Sequence, residues 1–273
     1  MIPGTILGER NGLVVRSARG AADIDAAQHL RYRVFYEELS AEPDGAARAM
    51  RRDADHFDGI CDHLLVLRQA PSEEADPILL ADGELVGCYR LLRQTVAEAH
   101  DGFYTQSEFD LAPLIARKPD LNFLELGRSC VLKAYRTKPV VELLWQGIWN
   151  YVRAHGLDVM MGCASLEGTD PDAHALPLSF MAQNCGAPEE WQVRALPKRH
   201  VEMNRLPRAS VDAKAALRTL PPLIKGYLRL GCYIGDGAVI DRQFNTIDVL
   251  IMLPVAAIEP RYASHFGAPG QGS

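Results

Sequence analysis

Apolar residues alternate in some stretches of the chain and recur at helical spacing in others, and each change of period marks an element. Residues 12–19 (GLVVRSAR) read as a first strand. Residues 22–39 (ADIDAAQHLRYRVFYEEL) place Ile24, Ala27, Leu30, Val34 and Phe35 on roughly one helical face, with Asp23 or Asp25 suited to cap its start. A polar, Ala-rich stretch to about residue 58 reads as a loop with room for one helical turn. HLLVLRQ at 63–69 and ELVGCYRLLR at 84–93 are strands, joined by an acidic connection that holds two prolines. Residues 94–118 are mixed, and 121–133 form another strand. Residues 138–155 (KPVVELLWQGIWNYVRAH) repeat apolar residues at 141, 144/145, 148 and 152, a helical spacing. Lys138-Pro139 suits the first turn of that helix and His155-Gly156 its end. DVMMGCASL at 158–166 is a short strand. ALPLSFMAQN at 175–184 and LPPLIKGYLRLG at 220–231 are helical, and two late strands lie within 232–253.

The order is a strand, a helix, strands with connections short enough for antiparallel pairing, then β–α–β, then more strands. A β–α–β unit requires parallel pairing. The expected class is α/β (α+β): a central mixed β-sheet with helices on both faces. No repeat period occurs, and no boundary marks off two independent domains. Residues 1–11 form an N-terminal arm, 12–258 a single domain and 259–273 a flexible tail.

Composition narrows the function classes. A net charge of −6 argues against a general nucleic-acid binder. The N-terminus lacks the basic start and long apolar stretch of a signal peptide. The longest strongly apolar run, VLIMLPVAAI at 249–258, is half the roughly 20 residues that a membrane helix needs. The expectation is a cytoplasmic protein, with peripheral attachment to a membrane allowed. The six cysteines form no CxxC pair and read as reduced thiols.

Familiar nucleophile and metal patterns are missing: GxSxG, HExxH and GxxxxGK[ST] do not occur. His56, Cys61 and His63 match no zinc spacing, so no metal is expected. IGDGAV at 234–239 reads as a turn between late strands.

The strand at 121–133 carries more. In a regular strand Glu125 and Arg128 point to opposite sides. A bulge near Gly127 would bring them to one side, and bulges are frequent beside active sites. Next comes a basic turn, Tyr135-Arg136-Thr137-Lys138, before a helix N-terminus. Free amides and the helix dipole attract phosphate there, and Arg136 and Lys138 add charge.

Strand, basic turn and helix together resemble the acyl-thioester-binding core of the GNAT acyltransferase superfamily. This turn lacks the superfamily's usual glycines, and a donor with a single phosphate asks less of it. LRYRVFYEEL, DADHFD, VGCYRLL and LELGRSCV follow the order seen in N-acyl homoserine lactone synthases. The matching positions are Arg31 and Phe35, Asp55 and Asp58, Arg90, and Glu125 with Arg128. From 220 to 253, and at SLEGTDPDAHALPLSF (165–180), the chain instead resembles the L-ornithine Nα-acyltransferases of bacterial ornithine-lipid synthesis.

The resemblance implies a GNAT-like fold and transfer of a 3-hydroxyacyl group from acyl carrier protein to the α-amine of L-ornithine, giving lyso-ornithine lipid. It implies no bound cofactor, since the donor is 3-hydroxyacyl-phosphopantetheine on the carrier. Glu125 becomes the base that takes the ammonium proton, directly or through a water; burial would make it a stronger one. Arg128 anchors Glu125, the ornithine carboxylate or the acyl 3-hydroxyl. Arg31, Phe35, Asp55, Asp58 and Arg90 become substrate-binding residues. Amides at Val131, Leu132 and Lys133 hold the thioester end, and Arg136, Thr137 and Lys138 the phosphate. The alternatives are a homoserine-lactone synthase or another amino-acid N-acyltransferase, and a non-catalytic carrier or lipid-binding module of the same fold.

Residues 194–229 hold nine Lys or Arg against two acids. Acyl carrier proteins and bacterial membrane surfaces are both acidic, and complementary charge speeds encounter with either. The implied partners are acyl carrier protein and L-ornithine, with a peripheral contact at the inner membrane allowed.

Overall fold

The computed structural model describes residues 2–70 and 76–258. The tail expected at 259–273 and part of the acidic connection lie outside these residues. From the N-terminus, strands β1 (Ile6–Arg10) and β2 (Leu13–Ser17) precede helix α1 (Ala21–Tyr32), which runs on into a π-helical turn, Arg33–Glu38. Helix α2 (Gly45–Met50) leads to strands β3 (Asp62–Arg68), β4 (Leu79–Leu80) and β5 (Gly83–Arg93). Helices α3 (Gln94–Glu98) and α4 (Ala112–Arg117) come before β6 (Phe123–Val131), and α5 (Lys138–His155) comes before β7 (Val159–Glu167). Helix α6 (Ala175–Asn184), strand β8 (His200–Val201), helices α7 (Ala213–Thr219) and α8 (Pro222–Arg229), and strands β9 (Tyr233–Asp241) and β10 (Thr246–Pro254) follow.

The described residues form two compact units. One holds 2–70, 76–96 and 126–156; the other holds 97–125 and 157–258.

In the first unit β1, β2, β3 and β5 pair antiparallel in that order, and β4 adds to the edge of β5. β1 falls in the stretch expected as an arm; its ILGER sequence is too polar to announce a strand, yet it pairs with β2. Helices cover both faces of this sheet. Leu65 and Leu67 of β3 join Ala27 and Leu30 of α1 in one apolar cluster. Leu64 points the other way, toward α5, as alternation along a strand requires. Two covered faces explain why β3 and β5 are buried almost without interruption. Helix α5 starts with Pro139 in its first turn, ends at Gly156, and buries Val140, Leu143, Leu144, Gly147, Ile148, Tyr151 and Val152. Gly147 lets α5 approach closely: a Cβ there would stand 2.8 Å from a Val15 methyl.

In the second unit Phe123, Leu124 and Glu125 of β6 pair parallel with Val159, Met160 and Met161 of β7. β7 pairs antiparallel with β10 along its length, then β10 with β9 and β9 with β8. The sheet is therefore mixed, as predicted, with its parallel step at the β–α–β unit. α7 goes beyond the sequence reading. At seven residues it is too short to show a period, but the Asp212 side chain caps it by accepting the Lys214 and Ala215 N–H groups.

All six cysteines are free. No helix among the described residues is long and apolar enough to cross a membrane.

Candidate active site

Three arginines and three aspartates form a closed ring in the first unit. Arg31 donates from Nε to Asp53 Oδ2 at 2.8 Å and from Nη2 to Asp58 Oδ2 at 2.7 Å. Arg90 Nη1 reaches Asp55 at 2.6 Å and Asp58 at 3.2 Å. Arg128 lies 3.2 Å from Asp53 by Nε and 3.2 Å from Asp55 by Nη2. Each aspartate thus faces two arginines and each arginine two aspartates, so the formal charges cancel. This balance lets the groups be buried, since an unpaired buried charge is costly. Asp53 was not singled out from the sequence, where nothing separates it from the neighbouring acids; the structure makes it a full member.

The D-x-x-D spacing has a local cause. Asp55 caps the short turn His56–Gly59: its Oδ1 accepts the Phe57 N–H, and Asp58 Oδ2 accepts the Asp55 N–H in return. Capping holds both carboxylates toward Arg90. Burial pushes the Asp58 carboxyl up, but Arg31, by charge and hydrogen bond, and then Arg90 outweigh it and hold it at about 2. Burial likewise opposes the Arg31 charge, and Asp53 and Asp58 more than restore it. The wettest edge of the ring is the Arg128–Asp55 pair, with side chains 13% and 23% exposed. Phe35 sits in the π-helical turn and packs against the apolar cluster of α1, β3 and β5.

The backbone of β6 is irregular at Arg128, next to Gly127. Arg128 has φ 49°, while the Gly127 φ lies outside the left-handed range. A non-glycine residue at positive φ carries strain, and such residues cluster at functional sites. The pairs to Asp53 and Asp55 offset that strain.

The donor turn follows. Leu132 N–H donates to Val86 O at 3.0 Å, and Lys133 N–H to Glu38 Oε1 at 3.3 Å. Arg136 donates from Nε to Val131 O at 2.9 Å and pairs with Glu38 through Nη2. Thr137 is the N-cap of α5, without a side-chain cap bond. Lys138 Nζ lies 3.4 Å from Glu142.

Glu125, in the second unit, is buried. Its two oxygens accept the Tyr104 and Thr105 N–H groups at 3.0 and 2.7 Å, which fixes the carboxylate on the short helical turn Tyr104–Ser107. The same segment carries Glu108, a residue without any sequence signal. Glu108 is fully buried, within 4.8 Å of the Asp241 and Asp248 carboxylates. It accepts from the Cys163 thiol at 3.2 Å and pairs with Arg199 at 3.2 Å. Burial first, then Asp248, raise its carboxyl to about 7 against the pull of Cys163 and Arg199.

In the basic stretch Arg194 pairs with Asp236 and Arg205 with Asp172. Lys198, Arg208, Lys214, Arg218 and Arg229 are exposed, and none forms an ion pair among the described residues.

The acetyltransferase (GNAT) domain family matches residues 30–146, which span the ring, β6, the basic turn and the first half of α5. The match covers less than half of the chain and makes this part similar to the GNAT acyltransferases. A protein of Agrobacterium fabrum named L-ornithine N(alpha)-acyltransferase is 51% identical over 97% of this chain and 89% of its own length. One of the same name from Rhizobium meliloti is 52% identical over 96% of this chain and 87% of its own length. The chain belongs to the L-ornithine N(alpha)-acyltransferase family. Among solved structures, FeeM, an N-acyl amino acid synthase from uncultured soil microbes, aligns with 89% of this chain and 91% of its own at 12% identity and a TM-score of 0.46.

Proposed function

We propose that this chain transfers a 3-hydroxyacyl group from acyl carrier protein to the α-amine of L-ornithine, giving lyso-ornithine lipid. The observation that carries the reading is the 51–52% identity, over nearly the whole chain, to proteins named for ornithine Nα-acylation. The charge ring suits such an acceptor, which brings one carboxylate and two ammonium groups.

Arg128 takes the ornithine carboxylate and Asp55 an ammonium, because they are the accessible edge of the ring. Asp58 and Asp53 act through the arginines that they hold, and Arg31 and Arg90 keep the edge in place. Phe35 backs this region from the apolar cluster. Glu125 accepts the proton that the α-ammonium must lose, directly or through a water, and its two backbone bonds hold the carboxylate still. The freed amine attacks the thioester carbonyl carbon. The C–N bond forms, the C–S bond breaks, and the phosphopantetheine sulfur leaves as the thiol, taking the second proton that the attacking nitrogen sheds in becoming an amide. The turn Val131–Lys133 flanks the thioester end, Arg136, Thr137 and Lys138 border the phosphate, and the Lys133 ammonium, which has no carboxylate partner among the described residues, meets it. No resident cofactor enters the reaction. The exposed cations of 194–229 draw in the acidic carrier protein. The protein works in the cytoplasm, and its amphiphilic product enters the inner membrane, whose surface it touches peripherally.

The test is a purified reaction with ornithine and 3-hydroxyacyl carrier protein, followed by mass spectrometry. Lyso-ornithine lipid is expected. Product with another amino acid but none with ornithine removes the substrate assignment.

A further inference from the structure

The π-helical turn Arg33–Glu38 ends on a carboxylate held against the donor turn. Glu38 binds the Lys133 N–H with one oxygen and the Arg136 guanidinium with the other. With Arg33, Leu132, Lys133, Ala134 and Tyr135 it lines a cavity of about 290 Å³. An anion already occupies the groups that a donor phosphate would seek.

The rest of the turn has little to add. Tyr135, Arg136 and Thr137 turn their N–H groups onto the carbonyls of Leu132, Lys133 and Tyr135. Pro139 has no N–H, and the α5 ladder begins only with Val141 on Thr137. Arg136 is matched by Glu38, while the exposed Lys138 shares Glu142, at 3.4 Å, with Arg10, which holds it at 2.8 Å. Of the three cations at this turn, only Lys133 lacks a carboxylate partner among the described residues. Such a turn has capacity for a small anionic charge. The phosphodiester of a carrier-linked phosphopantetheine arm bears one negative charge, whereas the diphosphate and 3′-phosphate of coenzyme A together bear about four.

We propose that Glu38 is a donor-selecting residue, whose fixed carboxylate admits the singly charged carrier-linked arm and turns away coenzyme A thioesters. The inference rests on the carrier-protein donor of the preceding section. Like charges brought together at a binding site weaken binding steeply, and the loss grows with the ligand's charge.

The test compares one 3-hydroxyacyl group on coenzyme A and on acyl carrier protein, with ornithine as acceptor. In Glu38→Gln the KM for the coenzyme A thioester should fall about tenfold with kcat little changed, while the KM for the carrier-linked donor moves less than about threefold. Glu38→Asp keeps the charge and should keep the wild-type preference. An unchanged ratio of the two KM values in E38Q overturns the proposal, as does an equal shift in E38D. If E38Q does not fold, Arg136→Gln replaces it: removing the partner of Glu38 should widen the ratio, and an unchanged ratio again overturns the idea. Calorimetric titration with free coenzyme A needs no acceptor. It should show about tenfold tighter binding to E38Q than to wild type, and equal binding counts against Glu38. If ornithine yields no product with either donor, the functional reading fails, while this titration still decides the role of Glu38.

Discussion

Arg128 reaches Asp55 with Nη2 at 3.2 Å from a backbone position at φ 49°. A strained residue on the accessible edge of an otherwise buried charge ring is where a zwitterionic acceptor would exchange partners. Arg128→Lys keeps the charge but cannot span Asp53 and Asp55 together, because an ammonium lacks the planar fork. It should lower kcat/KM for ornithine at least tenfold, about 1.4 kcal/mol. Steady-state kinetics with ornithine varied checks this; unchanged kinetics in the folded variant make the pairing purely structural.

Asp58 faces Arg31 and Arg90, and Asp58→Asn leaves each of them facing one carboxylate fewer. Breaking a buried pair costs about 3–5 kcal/mol, read by denaturant unfolding at neutral pH. The pH dependence has a definite sign. The folded carboxyl titrates at about 2, below its ordinary 3.8. Its stabilisation is therefore complete above about pH 4 and is lost as pH falls toward 2, by roughly 2 kcal/mol. Wild type should lose that stability over this window and D58N should not.

Glu125→Gln replaces a carboxylate that accepts two backbone N–H groups. One of those groups would then meet an amide NH₂, at a cost of about 1–2 kcal/mol. Turnover should drop roughly a hundredfold or more, beyond anything the stability loss explains. Rates taken with circular dichroism on the same sample check both effects. Wild-type turnover would remove Glu125 as the base.

Glu108 carries the opposite pH signature. Its folded carboxyl, at about 7, lies above the ordinary 4.5, so the folded state holds a proton that the unfolded state releases. Stability should fall as pH rises from about 4.5 to 7, and Glu108→Gln should abolish that fall. The stability of E108Q relative to wild type should improve by roughly 2 kcal/mol between pH 5 and pH 8, measured by denaturant unfolding at both.

The sequence made much of this visible because several signals were local. Pro139, Gly156 and the apolar spacing between them mark α5, and the mixed sheet follows from a β–α–β order. Arg31, Asp55, Asp58, Arg90 and Arg128, singled out by resemblance, do meet in one ring. The rest depends on three-dimensional closure. A bulge was expected near Gly127; the positive φ falls on Arg128, whose ion pairs with Asp53 and Asp55 come from distant positions. Glu38 reaches Lys133 and Arg136 from about a hundred positions away in sequence. Burial first, then Asp248 and Asp241 from the far end of the chain, raise the Glu108 carboxyl. No spacing rule connects such residues.

The central claim is acylation of the ornithine α-nitrogen. Ornithine labelled with heavy nitrogen at the α-position, incubated with the purified protein and 3-hydroxyacyl carrier protein, tests it most directly. Fragmentation of the product by tandem mass spectrometry should place the heavy nitrogen in the fatty amide and leave the δ-amine free and unlabelled. A product with the label in a free amine and the acyl group on the δ-nitrogen would contradict the account.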